Sequence, residues 1–182
     1  MPCDALTTDL LEHDCDLLAP GRWRVRGERS RATFSALGFW GAARVNGTFG
    51  DLSGTAALAA DGSFAGWLSI PAKTLDTGLT RRDRHLGSAE FFDVARFPEI
   101  RFAADGFESI EDRYVIYGEL FVRDRTIRLA LPVQVTPTSG GRLALTTEAV
   151  LSRDTLGLGH SPLGIIRGPA KIRVQLVLER AS

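Results

Sequence analysis

From Arg22 onward, apolar and polar residues change places at every second position, in one short segment after another. That alternation is the pattern of β-strands with one buried face. Trp23 and Val25 alternate with Arg22, Arg24 and Arg26, and Ala32, Phe34 and Ala36 with Arg31, Thr33 and Ser35. Val45, Gly47 and Phe49 follow. Residues 54–60 and 63–70 read as a hairpin turning at Asp61-Gly62, a favoured turn pair. In its second arm Phe64, Gly66, Leu68 and Ile70 share one face. The series continues with Ile100 and Phe102, then Tyr114, Ile116, Gly118 and Leu120, then Ile127, Leu129, Leu131, Val133 and Val135. Leu143, Leu145 and Thr147 precede a last strand with Ile172, Val174, Leu176 and Leu178. Pro132 falls on the outward phase, which predicts an edge position or a bulge. Short strands of this kind, joined mostly by tight turns, predict an all-β antiparallel barrel or sandwich.

Three stretches depart from the alternation. Residues 1–21 form an acidic leader, with Asp4, Asp9, Glu12, Asp14 and Asp16 among leucines and no Lys or Arg. It is expected to be flexible, with 22–182 as the folded domain. Residues 78–92 are too charged and irregular for a strand and predict a short helix near 80–92, with Thr80 as its cap. Residues 153–170 are rich in Gly and Pro and read as a long loop, the kind of segment that often carries function.

Composition narrows the function. Lys plus Arg and Asp plus Glu both number 22, so no general field attracts nucleic acid. No apolar run is long enough for a membrane-spanning helix, and no stable membrane insertion is expected. The N-terminus lacks a basic start and an unbroken apolar stretch, so it does not read as a secretory signal, and a cytoplasmic location is expected. Cys3 and Cys15 both lie in the leader, and with His13 they match no zinc spacing. No metal is expected.

The inward face mixes large residues (Phe34, Phe49, Leu68, Phe102, Ile116) with small ones (Ala32, Ala36, Gly47, Gly66, Gly118). A barrel with such a face is either hollow or filled by bulky side chains from the opposite wall. It carries almost no ionisable group, so a charged guest would be desolvated without a partner. An apolar guest would gain about 0.8 kcal/mol per buried methylene, before the cost of ordering it.

Residues 74–102 read TLDTGLTRRDRHLGSAEFFDVARFPEIRF. Thr77-Gly78, then Arg82-Asp83-Arg84-His85-Leu86, then Phe91-Phe92-Asp93, then Phe97-Pro98-Glu99-Ile100-Arg101-Phe102 resemble the signature of the YceI-like family of polyisoprenoid-binding proteins. Val45-Asn46-Gly47-Thr48-Phe49, Tyr117-Gly118-Glu119-Leu120 and Arg153-Asp154-Thr155-Leu156-Gly157 are similar to further motifs of that family. The likeness extends over roughly residues 22–180. It departs at Leu37-Gly38-Phe39-Trp40, where the family often has a His. The resemblance implies an eight-stranded antiparallel lipocalin-like barrel enclosing a polyisoprenoid, an isoprenoid quinone or a fatty amide, with no cofactor required beyond such a lipid. Phe34, Ala36, Val45, Phe49, Leu68, Ile70, Phe102, Ile116, Leu129, Leu131, Leu145 and Val174 are then the expected ligand-binding residues. Arg82, Asp83 and His85 are expected to form a hydrogen-bonded clamp tying the short helix to the barrel, or to meet a ligand head group. Phe91 and Phe92 are expected to pack as core or lid.

Catalysis has weaker support. His85 has Asp83 nearby, but no nucleophile-elbow motif and no domain cysteine accompany it. An enzyme acting on a small hydrophobic substrate, with His85 or His160 as acid–base, is the alternative reading. A stress-linked interaction module using the leader as a docking arm is a third. The expected partners are an apolar small molecule and, through an edge strand or open seam, a second copy of the chain.

Overall fold

The computed structural model describes residues 19–38, 43–110, 113–152, 155–158 and 166–181. Cys3, His13, Cys15 and His160, with nearly all of the expected leader, lie outside the described residues. Ten strand segments follow in chain order: β1 (Gly21–Val25), β2 (Arg31–Gly38), β3 (Ala43–Phe49), β4 (Ser53–Leu58), β5 (Phe64–Pro71), β6 (Glu99–Ile110), β7 (Arg113–Val122), β8 (Arg125–Thr138), β9 (Arg142–Leu151) and β10 (Ile166–Arg180). The one α-helix among the described residues, α1, is Thr80–Leu86.

The ten segments make an eight-stranded closed barrel, because two of its strands are broken. The first half of β10 pairs with β2 and its last residues with β1, both on the side away from β9. Segments β1 and β2 thus form one interrupted strand, and their partners β4 and β3 form the next. A single 3-10 turn at Gly27–Arg29 makes the first break. Ser30 repairs it: its hydroxyl donates to the Arg26 carbonyl at 2.7 Å and accepts the Val177 N–H at 3.0 Å. The second break, at residues 50–52, lies against the first. A Cβ on Gly27 would stand 2.5 Å from the Leu52 carbonyl oxygen, and Leu52 is the most deeply buried large side chain described. Pairing of β1 with β10 closes the ring, and every ladder in it is antiparallel.

Local irregularities set which residues face inward. In β6, Asp105 is an extra residue between the pairs Ala104–Gly118 and Gly106–Tyr117, a β-bulge. Before it Ile100, Phe102 and Ala104 face in; after it Phe107 does. In β8, Pro132 takes the edge position that its sequence phase predicted, since residues 125–132 pair with β7 alone. It stands where the β8–β9 ladder stops, at the pair Val133–Thr147. The Pro132 carbonyl accepts the Thr147 hydroxyl at 2.8 Å, so its missing N–H falls on the β9 side, where the ladder would need it.

The long connections share one end of the barrel. Residues 72–98, with α1, join β5 to β6, and residues 152–165 join β9 to β10. The opposite end is bounded by tight turns at 59–63 and 139–141 and by the start of β1. Gly62, at φ +84°, makes the predicted Asp61-Gly62 turn, held by the Asp61 carboxylate accepting both the N–H and the hydroxyl of Ser63.

Some small inward residues do not leave space, as the sequence suggested; they seat aromatic rings. A Cβ on Gly47 would lie 2.3 Å from the Phe34 ring, and one on Gly118 would lie 2.6 Å from Phe102 and 2.4 Å from the Ala103 carbonyl oxygen. Gly118→Ala should therefore lower stability by about 1–3 kcal/mol, since the obstructing atom is backbone. Gly50→Ala, where a Cβ meets nothing within 4 Å, should stay within about 0.5 kcal/mol of the parent. Urea denaturation of the two variants measures the difference.

Candidate ligand-binding site

The inward faces of the strands enclose a cavity of about 250 Å³ that runs between the two ends of the barrel. Among the described residues, no side chain that lines it is ionisable. Among the described residues its hydroxyls belong to Thr33, Thr55 and Thr147. Two of these are already engaged, Thr147 with Pro132 and Thr33 with the Arg173 carbonyl. Inward residues of the middle of the barrel, such as Phe34, Ile116, Leu129, Leu131 and Ile172, keep part of their surface accessible although they face inside. Opposite walls therefore do not fill the interior, and the question left open by composition is answered by the packing: the barrel is hollow.

Of the twelve residues expected to touch a ligand, eleven line this cavity: Phe34, Ala36, Phe49, Leu68, Ile70, Phe102, Ile116, Leu129, Leu131, Leu145 and Val174. Val45 does not. It is buried on β3, whose inner surface beside Gly47 is covered by the Phe34 ring and the Thr77 methyl. Lining residues outside the expected ligand-binding set include Trp23, Leu58, Phe64, Phe107, Leu86, Leu156 and Leu158. The first four stand near the tight-turn end. Leu86, Leu156 and Leu158 come from the long connections, where no strand period points to them.

The α1 end is closed by side chains from those connections. Leu86 and Phe91 are 4% and 3% exposed, and Leu156 and Leu158 are 4% and 8%. Phe92 stands edge-on to Phe49, with ring centres 5.8 Å apart, and Phe49 lies 5.9 Å from Phe34. A polar network holds the closing segment in place. The Thr77 N–H and hydroxyl both donate to the Asp83 carboxylate, at 2.9 and 2.5 Å. The Arg82 guanidinium donates to the Thr77 hydroxyl oxygen and carbonyl, at 2.7 and 2.6 Å. Asp76 pairs with Thr48 through two backbone hydrogen bonds, which fastens the segment to β3.

Two expectations about this segment are corrected. Thr80 is the first residue of α1 rather than its cap, and Leu79 occupies the cap position with no side-chain hydrogen bond. His85 is not part of the clamp that joins Arg82 and Asp83. Its side chain is 46% exposed, its Nδ1 lies 3.7 Å from a Glu90 carboxylate oxygen, and its ring meets Phe91 edge-on. Thr77 takes the place assigned to His85, because its hydroxyl can accept from Arg82 and donate to Asp83 at once.

The ion pairs lie outside the cavity. Asp105 with Arg128, Glu28 with Arg26, and Glu148 with Lys171 are all exposed, and each carboxyl is held below its ordinary range, in the pairs with Arg128 and Lys171 chiefly by the partner's hydrogen bond. A lowered carboxyl supports the fold above its unfolded value and loses that support as pH falls through the folded one. These pairs tie the fold, not the interior, to pH.

Comparison with known proteins fits this geometry. The family model described as the YceI-like domain matches residues 23–179. The chain belongs to the YceI-like family. Protein YceI of Salmonella arizonae is 27% identical over 139 residues, covering 72% of this chain and 70% of that protein. Among solved structures, BcnA of Burkholderia cenocepacia superposes with a TM-score of 0.75 at 16% identity, over 84% of this chain and 98% of the other. A polyisoprenoid binding domain from Saccharophagus degradans gives a TM-score of 0.72 at 15% identity, over 87% and 98%. The expected eight-stranded antiparallel barrel with a short helix is the fold of this YceI-like chain.

An interior without titrating groups should bind an apolar dye such as N-phenylnaphthylamine with the same affinity from about pH 5.5 to 8.5. Leu131→Glu should make that binding pH-dependent. Burial raises the new carboxyl's pKa, so the dye binds at acid pH and is lost as the group ionises. Fluorescence titration across the pH range checks both, and a pH-dependent parent protein would place an ionisable group inside.

Proposed function

We propose that the protein holds one long apolar molecule inside its barrel and serves as its carrier, store or sequestering protein. A polyisoprenoid, an isoprenoid quinone and a fatty amide are the candidate guests. The observation that carries this reading is a cavity running between both ends of the barrel with no ionisable side chain in its lining among the described residues. Such an interior rewards each buried methylene and penalises any unpaired polar group. The similar domain from Saccharophagus degradans is a polyisoprenoid binding domain, which points the same way.

The enzyme reading has less to work with. His85 does not line the cavity, and among the described residues no acid or base does. The reading also takes the protein to act in the cytoplasm, without stable membrane insertion; among the described residues no helix is long and apolar enough to cross a membrane. Pairing with a second copy would have to use stretches such as the start of β8 or the end of β9, since β1 and β10 join each other.

Native mass spectrometry of the purified protein, followed by organic extraction, tests the proposal. A stoichiometric long-chain isoprenoid, quinone or amide is the expected result. A protein that is empty, and that also refuses added quinones and polyprenols, would sink it.

A further inference from the structure

Four large apolar side chains are exposed among the described residues: Leu37, Trp67, Leu79 and Val150. Leu37, Leu79 and Val150 stand towards the α1 end. Trp67, 45% exposed, stands on the wall of the barrel in the middle of β5. Gly66 and Leu68 on either side of it turn inward, so its ring lies on the outside. Trp67 still borders the cavity, because the inward pair beside it, Ala56 and Gly66, covers little of the wall.

Directly paired residues of neighbouring strands share a face. The ladders therefore lay one outer row across five strands: Arg24 on β1, Thr55 on β4, Trp67 on β5, Ala103 on β6 and Glu119 on β7. In the next row Ala57 pairs with Ala65. Trp67 thus rises from a floor of small side chains. With about 4.8 Å between strands, Arg24 stands about 10 Å from it on one side and Glu119 about 10 Å on the other. The next row repeats the signs. Arg22 pairs with Ala57 on the β1 side, and on the β7 side the Tyr117 hydroxyl donates to the Glu108 carboxylate at 2.9 Å. Among the described residues, Arg24 and Glu119 make no ion pair. Glu179, opposite Arg24, is taken by Arg26, and Arg128, opposite Glu119, is taken by Asp105.

An aromatic face with a cation on one flank and an acid on the other is complementary to itself. Two copies can pack it face to face about a twofold axis lying in the contact plane. An axis across the strands would set Arg24 on Arg24 and Glu119 on Glu119. An axis along the strands sets Arg24 of each copy on Glu119 of the other, and Trp67 on Trp67. The charges therefore select the second arrangement.

We infer that the protein forms a weak symmetric dimer through the outer face of β1, β4, β5, β6 and β7, with Trp67 on the twofold axis and Arg24 of each copy paired with Glu119 of the other. The contact is between faces, so it uses no strand edge, and it holds whatever the cavity contains. A face five strands wide and about 20 Å long offers about 400–500 Å² on each copy. That is below the roughly 800 Å² of a standard interface, so association is weak.

Sedimentation equilibrium of the full chain, from about 5 to 500 μM, tests it. The parent should pass from monomer to dimer over this range, and Trp67→Ser should weaken association at least tenfold. Arg24→Glu and Glu119→Arg should each be monomeric, because each sets two like-charged pairs across the axis. An equimolar mixture of these two variants should regain the dimer, since every pair in it is again of opposite sign, and so should a chain carrying both changes. Both positions are exposed, and thermal melting confirms that each variant is folded. A parent that stays monomeric at the highest concentration, a dimer untouched by Trp67→Ser or by the single reversals, or a mixture that stays monomeric would overturn the inference.

Discussion

A sheet of this size must do something with its two outer edges, because an unpaired row of N–H and C=O groups invites pairing with any other chain. Here β1 pairs with β10, residues more than 150 positions apart, and the sheet ends on itself. Everything else follows from that closure. Once the ring is shut, the inward set of side chains has only its own cavity to face. The breaks at Gly27–Arg29 and at residues 50–52 let two strands bend sharply enough to complete the circuit. Their cost in lost ladder bonds is offset locally, by the Ser30 hydroxyl and by the buried Leu52.

Polar and apolar interactions are separated in space. The charged pairs lie on the outer surface, where each is worth little to stability. The polar cluster that fastens the segment carrying Leu86, Phe91 and Phe92 is the Thr77–Asp83–Arg82 network. Its hydrogen bonds are satisfied among its own members, so it can border an apolar chamber without exposing a donor to it.

Much of this was legible in the alternation of residues. The inward face of β8, Ile127 to Val135, could be read directly, as could the Asp61-Gly62 turn and the irregular segment that became α1. What could not be read depends on contacts between distant residues. Gly47 and Gly118 look like empty places in the sequence, and only the rings of Phe34 and Phe102 show that they are seats. His85 looked like the centre of the clamp because Asp83 is its near neighbour, yet Thr77, six residues from Asp83, has the better geometry. Leu156 and Leu158 sit in a loop with no period, so nothing local marked them as part of the wall.

Phe107 escaped a simple reading for a different reason. The extra residue at Asp105 reverses the parity of β6, so that even-numbered residues face in before it and odd-numbered ones after it. Its own side chain turns outward to Arg128, while Phe107 stacks between Phe64 and Tyr114. The strand is thus written in two reading phases joined at one residue. A relative that lacked this residue would keep Gly106 opposite Tyr117 and Phe107 opposite Ile116, so Phe107 would still face the cavity. A gap at Asp105 thus leaves the cavity wall as it is, whereas a gap elsewhere in β6 turns the residues beyond it to the other face.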